Sequence, residues 1–87
     1  MNIREPVYDN IYRISMNSKN GKQLYLSVKN AWYDKKGQLK RIHEWTFNEA
    51  ISMQFNSEKE AKEYGENYFK HFKNWYVDIH RECVGSI

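Results

Sequence analysis

The chain has 87 residues, room for one domain and one core, so a deep, dry catalytic cleft is hard to accommodate and a surface site is easier. Its 14 basic and 11 acidic residues leave a net charge of +3, which permits contact with nucleic acid without demanding it. Cys83 is the single cysteine, which excludes an internal disulfide and a cysteine-based zinc site completed within one chain.

Residues 1–6 carry little pattern and end at Pro6, as a short tail would. They hold no apolar leader core, and no apolar run approaches the roughly 20 residues that span a bilayer. A cytoplasmic protein without membrane contact is the expectation. From Val7 to Met16 the chain alternates as a strand, with Tyr12, Ile14 and Met16 on one face and Ile11, Arg13 and Ser15 on the other. Asn17 to Lys22 is a turn whose Asn20-Gly21 pair tolerates positive φ.

Gln23 to Tyr33 is the clearest strand. Leu24, Leu26 and Val28 share a face with Trp32, and Tyr25, Ser27, Lys29, Ala31 and Tyr33 share the other. Asp34 to Gln38 closes a second hairpin, with Gly37 where a type I turn plus bulge wants a left-handed residue. Leu39 to Phe47 is a third strand whose core face the pattern leaves open. Ala50 to Phe55 is a short fourth strand or an irregular approach to a helix.

Ser57 and Glu60 form an S-x-x-E capping box, the sequence mark of a helix start. Ala61, Tyr64, Gly65, Tyr68 and Phe72 recur at helical spacing, which predicts a helix from about Glu58 to about Phe72. Gly65 is unfavourable in mid-helix, so close packing against the sheet is its expected reason. Trp75 to Val84 is the last strand, with Trp75, Val77, Ile79 and Cys83 opposite Tyr76, Asp78, His80 and Glu82, and 85–87 form a tail. The order β-β-β-(β)-α-β implies a single α+β domain. Its antiparallel sheet of four to five strands carries the helix on one face and leaves the other partly open to solvent.

That open face is the leading candidate site. Tyr25, Lys29 and Tyr33 on one strand, Tyr76 on another and Lys35 and Lys36 at the hairpin tip would form a basic aromatic patch. Such a patch suits a partner protein, because tyrosine buries area at low entropic cost. It also suits stacked bases, although no RNP signature is present. The bland reading is cross-strand stabilisation of a half-wet sheet. Asp78, His80 and Glu82 project one way and raise a remote metal-dependent hydrolase, particularly if His43 or Glu44 lies across the sheet. Side chains at i, i+2 and i+4 splay along a strand, so no metal and no cofactor is the expectation. His71 suits a helix C-terminus, and Ser57 is a cap rather than a nucleophile.

Gln23-Leu24-Tyr25-Leu26, Ala50 to Phe55 and Ser57-Glu58-Lys59-Glu60-Ala61 together resemble small accessory proteins of bacteriophages and mobile elements from AT-rich Gram-positive hosts. Many of these are stoichiometric inhibitors of host machinery, anti-CRISPR proteins among them. The resemblance implies a non-enzymatic module that grips a host protein or a protein–nucleic-acid complex. The positive net charge departs from the acidic inhibitors that imitate DNA.

Overall fold

The computed structural model describes residues 6–86, with side chains described for residues 9–81. Four strands, β1 (Pro6–Asn17), β2 (Gln23–Tyr33), β3 (Leu39–Thr46) and β4 (Trp75–Ser86), join one helix, α1 (Glu58–Tyr68). A 3₁₀ turn at Glu49–Ile51 separates β3 from α1. The sheet is antiparallel in the order β3-β2-β1-β4, and α1 packs on one face, so the fold is α+β. Gly85 and Ser86 pair with Val7 and Pro6, so β4 extends through residues expected as a tail. The expected place of Cys83 on one face with Trp75, Val77 and Ile79 falls on a side chain outside those described.

Local chemistry sets the element ends. Both hairpins turn on a glycine with positive φ, Gly21 at 78° and Gly37 at 76°. Asp34 Oδ1 accepts from the backbone N–H of Lys36 at 2.8 Å and of Gln38 at 2.9 Å, which holds the second turn from within. At the start of α1, Ser57 Oγ accepts from the Glu60 N–H at 3.1 Å. The Glu60 carboxylate accepts in return from the Asn56 N–H at 3.2 Å, one residue earlier than in the usual box.

The helix stops at Tyr68, four residues short of the expected Phe72. Phe69 leaves helical geometry at φ −121°, ψ 53°. The chain then bends back so that Phe69 and Phe72 lie 5.7 and 6.2 Å from the Trp45 ring. Aromatic packing onto the sheet outweighs one more turn of exposed helix.

Ile14, Leu26 and Ala61 are wholly buried and form the centre of the core. Gly65 faces the sheet as expected: a Cβ there would stand 2.5–2.8 Å from three ring carbons of Trp75.

β1 and β2 pair over only three residues each, Ser15–Asn17 against Gln23–Tyr25, and then part. The segment after the 3₁₀ turn fills the fork. Met53 N–H donates to Leu26 O at 2.9 Å on one side. On the other, Phe55 exchanges two backbone bonds with Tyr12, at 2.8 and 3.1 Å. The 3₁₀ turn lies on the face away from α1, where Ser27 Oγ donates to Ile51 O at 2.9 Å. The chain therefore changes sides of the sheet between residues 51 and 57.

This corrects the expectation of an open second face. Its centre is occupied by the 3₁₀ turn and Ser52, and Arg13, Ser15, Ser27 and Ser52 are buried there. Arg13 Nε donates to Ser52 Oγ at 2.8 Å, and Arg13 Nη1 stands 3.0 Å from Glu49 Oε1 in an ion pair. A buried guanidinium needs such partners to offset its desolvation.

Gly65→Ala is expected to destabilise by about 1–2 kcal/mol, because the clash with a rigid indole exceeds the roughly 1 kcal/mol gained in helix propensity. Urea unfolding of both chains checks the sign, and a more stable variant contradicts the packing argument.

Candidate functional site

The register of β2 against β3 shifts by one residue between Val28 and Asn30. Lys29 is the extra residue of a β-bulge, and the Ala31 N–H donates to Asn30 Oδ1 at 2.9 Å beside it. A bulge exchanges the faces of every residue beyond it. Ala31 and Tyr33 therefore lie on the α1 side of the sheet, opposite Arg41 and Leu39. Trp32 lies on the other side with Lys40 and Ile42. The expected common face of Tyr25, Lys29 and Tyr33 is not formed, and Trp32 does not share the core face of Leu26.

The expected site residues separate into two groups. Tyr25 and Tyr76 each pair with Ser15 and flank it on the face away from α1. Tyr25 is half-buried; its hydroxyl donates to Gln23 Oε1 at 3.2 Å, and Gln23 Nε2 donates to Asp78 Oδ2 at 2.9 Å. Burial first, and then the carboxylates of Glu49 and Asp78, raise the Tyr25 phenol above its usual pKa. Tyr76 donates to Asn17 Oδ1 at 3.0 Å. These two tyrosines belong to the hydrogen-bonded fabric of the second face.

Lys29, Tyr33, Lys35 and Lys36 lie on the second hairpin, about 26 Å along β2 from Tyr25 in the case of Tyr33. Here β2 and β3 form a two-stranded arm. Large apolar side chains are exposed on both of its faces: Trp32 at 43% and Ile42 at 48% on one, Tyr33 at 73% and Leu39 at 39% on the other. Lys40 and Arg41 join them, and residues 29–42 hold five basic side chains against the single acid Asp34. The arm thus carries a net +4 where the whole chain carries +3, so all of the excess positive charge sits on it. Trp32, Leu39 and Ile42 were not anticipated. The signal was Lys29-Asn30, two polar residues breaking an otherwise alternating strand.

Among the described residues the remote metal site does not assemble. β3 and β4 are opposite outer strands, so neither His43 nor Glu44 lies across from Asp78. Asp78 is bonded to Gln23, His80 Nδ1 faces Glu49 at 3.8 Å, and the Glu82 side chain lies outside those described. Among the described residues no group of three His, Cys, Asp or Glu is placed to hold a metal ion. Among them too, no helix is long and apolar enough to cross a membrane.

One further polar cluster ties α1 to β3. His43 Nε2 and the Tyr64 hydroxyl lie 2.5 Å apart, and Arg41 Nη1 donates to the Tyr68 hydroxyl at 3.3 Å. The Tyr64 and Tyr68 rings stack at 4.5 Å. Burial, and then the charge of Arg41, lower the His43 pKa, and burial raises that of Tyr64. Both groups are thereby held neutral near pH 7, as suits a packed tie.

In the unfolded chain His43 titrates near its ordinary 6.5, above its folded value. Between those two values the unfolded chain binds more protons, so the stability that neutral His43 contributes is present above about 6.5 and is lost as pH falls through that window. His43→Gln is expected to flatten the fall in melting temperature between about pH 7 and pH 5. Equal falls in both chains contradict this role. Comparisons with family models, with curated proteins and with solved structures find no match to this chain.

Proposed function

We propose that this protein is a non-enzymatic binding module that docks onto an acidic surface of a partner protein through the β2–β3 arm. The observation that carries the reading is four large apolar side chains left exposed on both faces of a ribbon that holds all the excess positive charge. Apolar and aromatic anchors supply binding energy, and the surrounding cations steer encounter with an acidic partner. Lys29, Tyr33, Lys35 and Lys36 remain contact residues, joined by Trp32 and Leu39. Tyr25 and Tyr76 support the sheet. The resemblance to phage-type inhibitors makes a host nucleic-acid-processing protein, alone or with its nucleic acid, the partner of choice, and the host cytoplasm the place of action.

A second reading has one observation in its favour. A basic two-stranded ribbon has the width of a DNA major groove. Direct nucleic-acid binding would then fall steeply with salt and depend on Lys35 and Lys36 more than on Leu39.

Trp32→Ala combined with Tyr33→Ala removes one anchor from each face of the arm. The pair is expected to weaken partner capture by about 100-fold, at roughly 1–2 kcal/mol per anchor, with an unchanged far-UV circular dichroism spectrum. The measurement is capture from a host extract, read by mass spectrometry for proteins enriched by the native chain. Equal capture by a folded variant overturns the placement. A gel shift on duplex DNA at low salt decides for the second reading.

A further inference from the structure

We propose that two copies of this chain associate edge to edge through β3, in antiparallel register about a two-fold axis at Ile42. Among the described residues the sheet ends at β3, whose outer edge carries no further strand; the proposal does not rest on the docking role given to the arm, although Leu39 and Ile42 belong to both surfaces. An outer strand presents unpaired backbone N–H and C=O groups and pairs with another chain unless something blocks it. A two-fold axis demands a strand that complements its own reverse.

Leu39-Lys40-Arg41-Ile42-His43-Glu44-Trp45 does so. Centred on Ile42, the register sets Ile42 against Ile42, Lys40 against Glu44 twice, Leu39 against Trp45 twice and Arg41 against His43 twice. Lys40, Ile42 and Glu44 lie on the face away from α1, so a Lys–Ile–Glu row meets a Glu–Ile–Lys row. Glu44 makes no ion pair within the described chain, and Lys40 reaches Asp34 only at 4.0 Å. Ile42 is 48% exposed in the single copy.

Neighbouring registers are worse. An axis at Arg41 opposes two guanidinium groups. An axis at His43 opposes Glu44 to Ile42 and leaves Lys40 against Thr46. The Ile42 register keeps every apolar residue against an apolar one. It also places both α1 helices on one face of an eight-stranded sheet and aims the two basic hairpin tips in opposite directions.

Sedimentation equilibrium of the full chain, from about 1 µM to about 1 mM, tests this. A concentration-dependent monomer–dimer equilibrium is expected. Lys40→Glu and Glu44→Lys each set two like-charge pairs across the axis and are expected to weaken the dimer about tenfold. The two combined restore opposite charges and return it to within about threefold of the native chain. Ile42→Cys, in a chain with Cys83→Ser, meets its own copy at the axis and is expected to form an intermolecular disulfide under mild oxidation. A native chain that stays monomeric overturns the proposal. So does a dimer indifferent to the single reversals, a double variant as weak as the singles, or a cysteine variant that does not cross-link. Lys35→Glu with Lys36→Glu changes only the hairpin tip, outside the paired residues of β3, and is expected to weaken partner docking while leaving the dimer intact, so this association and partner docking fail or stand separately.

Discussion

The fold depends on the fork between β1 and β2. Three paired residues on each strand hold the sheet's two halves together, and beyond them each strand would show a bare edge. Residues 52–57 close that gap. Their backbone bonds to Leu26 on one side and Tyr12 on the other satisfy groups that would otherwise be buried unpaired. Arg13 fixes the point of entry. Its hydrogen bond to Ser52 and its ion pair with Glu49 pin the 3₁₀ turn to the second face, and only then does the chain emerge on the first face at Ser57, where α1 starts. The fork is open at its far end, so the passage threads no closed loop.

From this passage follows the division of labour across the surface. The second face is filled at its centre by the turn, and Tyr25 and Tyr76 are drawn into its hydrogen bonds. The first face is covered by α1 and by the aromatic return of Phe69 and Phe72. Beyond both layers runs the outer half of β2 and β3, which α1 touches through Tyr68 on Arg41. There the two strands continue alone, with apolar groups on both sides and the chain's surplus of cations around them. Other large apolar side chains are exposed as well, Phe47, Ile51 and Ile79 among them, so what sets the outer half apart is apolar groups on both faces together with the surplus of cations.

Features set by a few neighbouring residues were legible in the sequence. The Ser57 and Glu60 cap, the left-handed Gly37 and the need for Gly65 to pack close against the sheet all follow from local chemistry, and each appears. So does the α+β order. Features set by long-range pairing were not. Arg13 alternates with Ile11 and Ser15 as any wet-face residue would, and only the arrival of Glu49 and Ser52 makes it buried. The bulge at Lys29 is missed by a period-two reading, which assumes unbroken alternation and passes over the polar Lys29-Asn30 pair, yet it decides which face Trp32 and Tyr33 occupy. The helix end was overrun for a similar reason. Phe72 fits the helical stripe, but Trp45 and Phe69 offer it a better contact off the helix.

The bulge links these levels. Without it, Trp32 would continue the core row of Leu26 and Val28, and Tyr33 would continue the row of Tyr25. One face of the arm would then be a plain extension of each layer. With it, each face of the arm carries both an aromatic and an aliphatic group: Trp32 with Ile42, Tyr33 with Leu39. A two-stranded ribbon is marginal by itself in water. The Asp34 and Gly37 turn and the β2–β3 ladder hold it together, and the exposed side chains of that ladder are the contact surface proposed above. A ribbon amphipathic on one side only would lie down on its own core. One apolar on both sides has no single face to lay down, and from its cationic surround Arg41 ties it back to Tyr68 on α1.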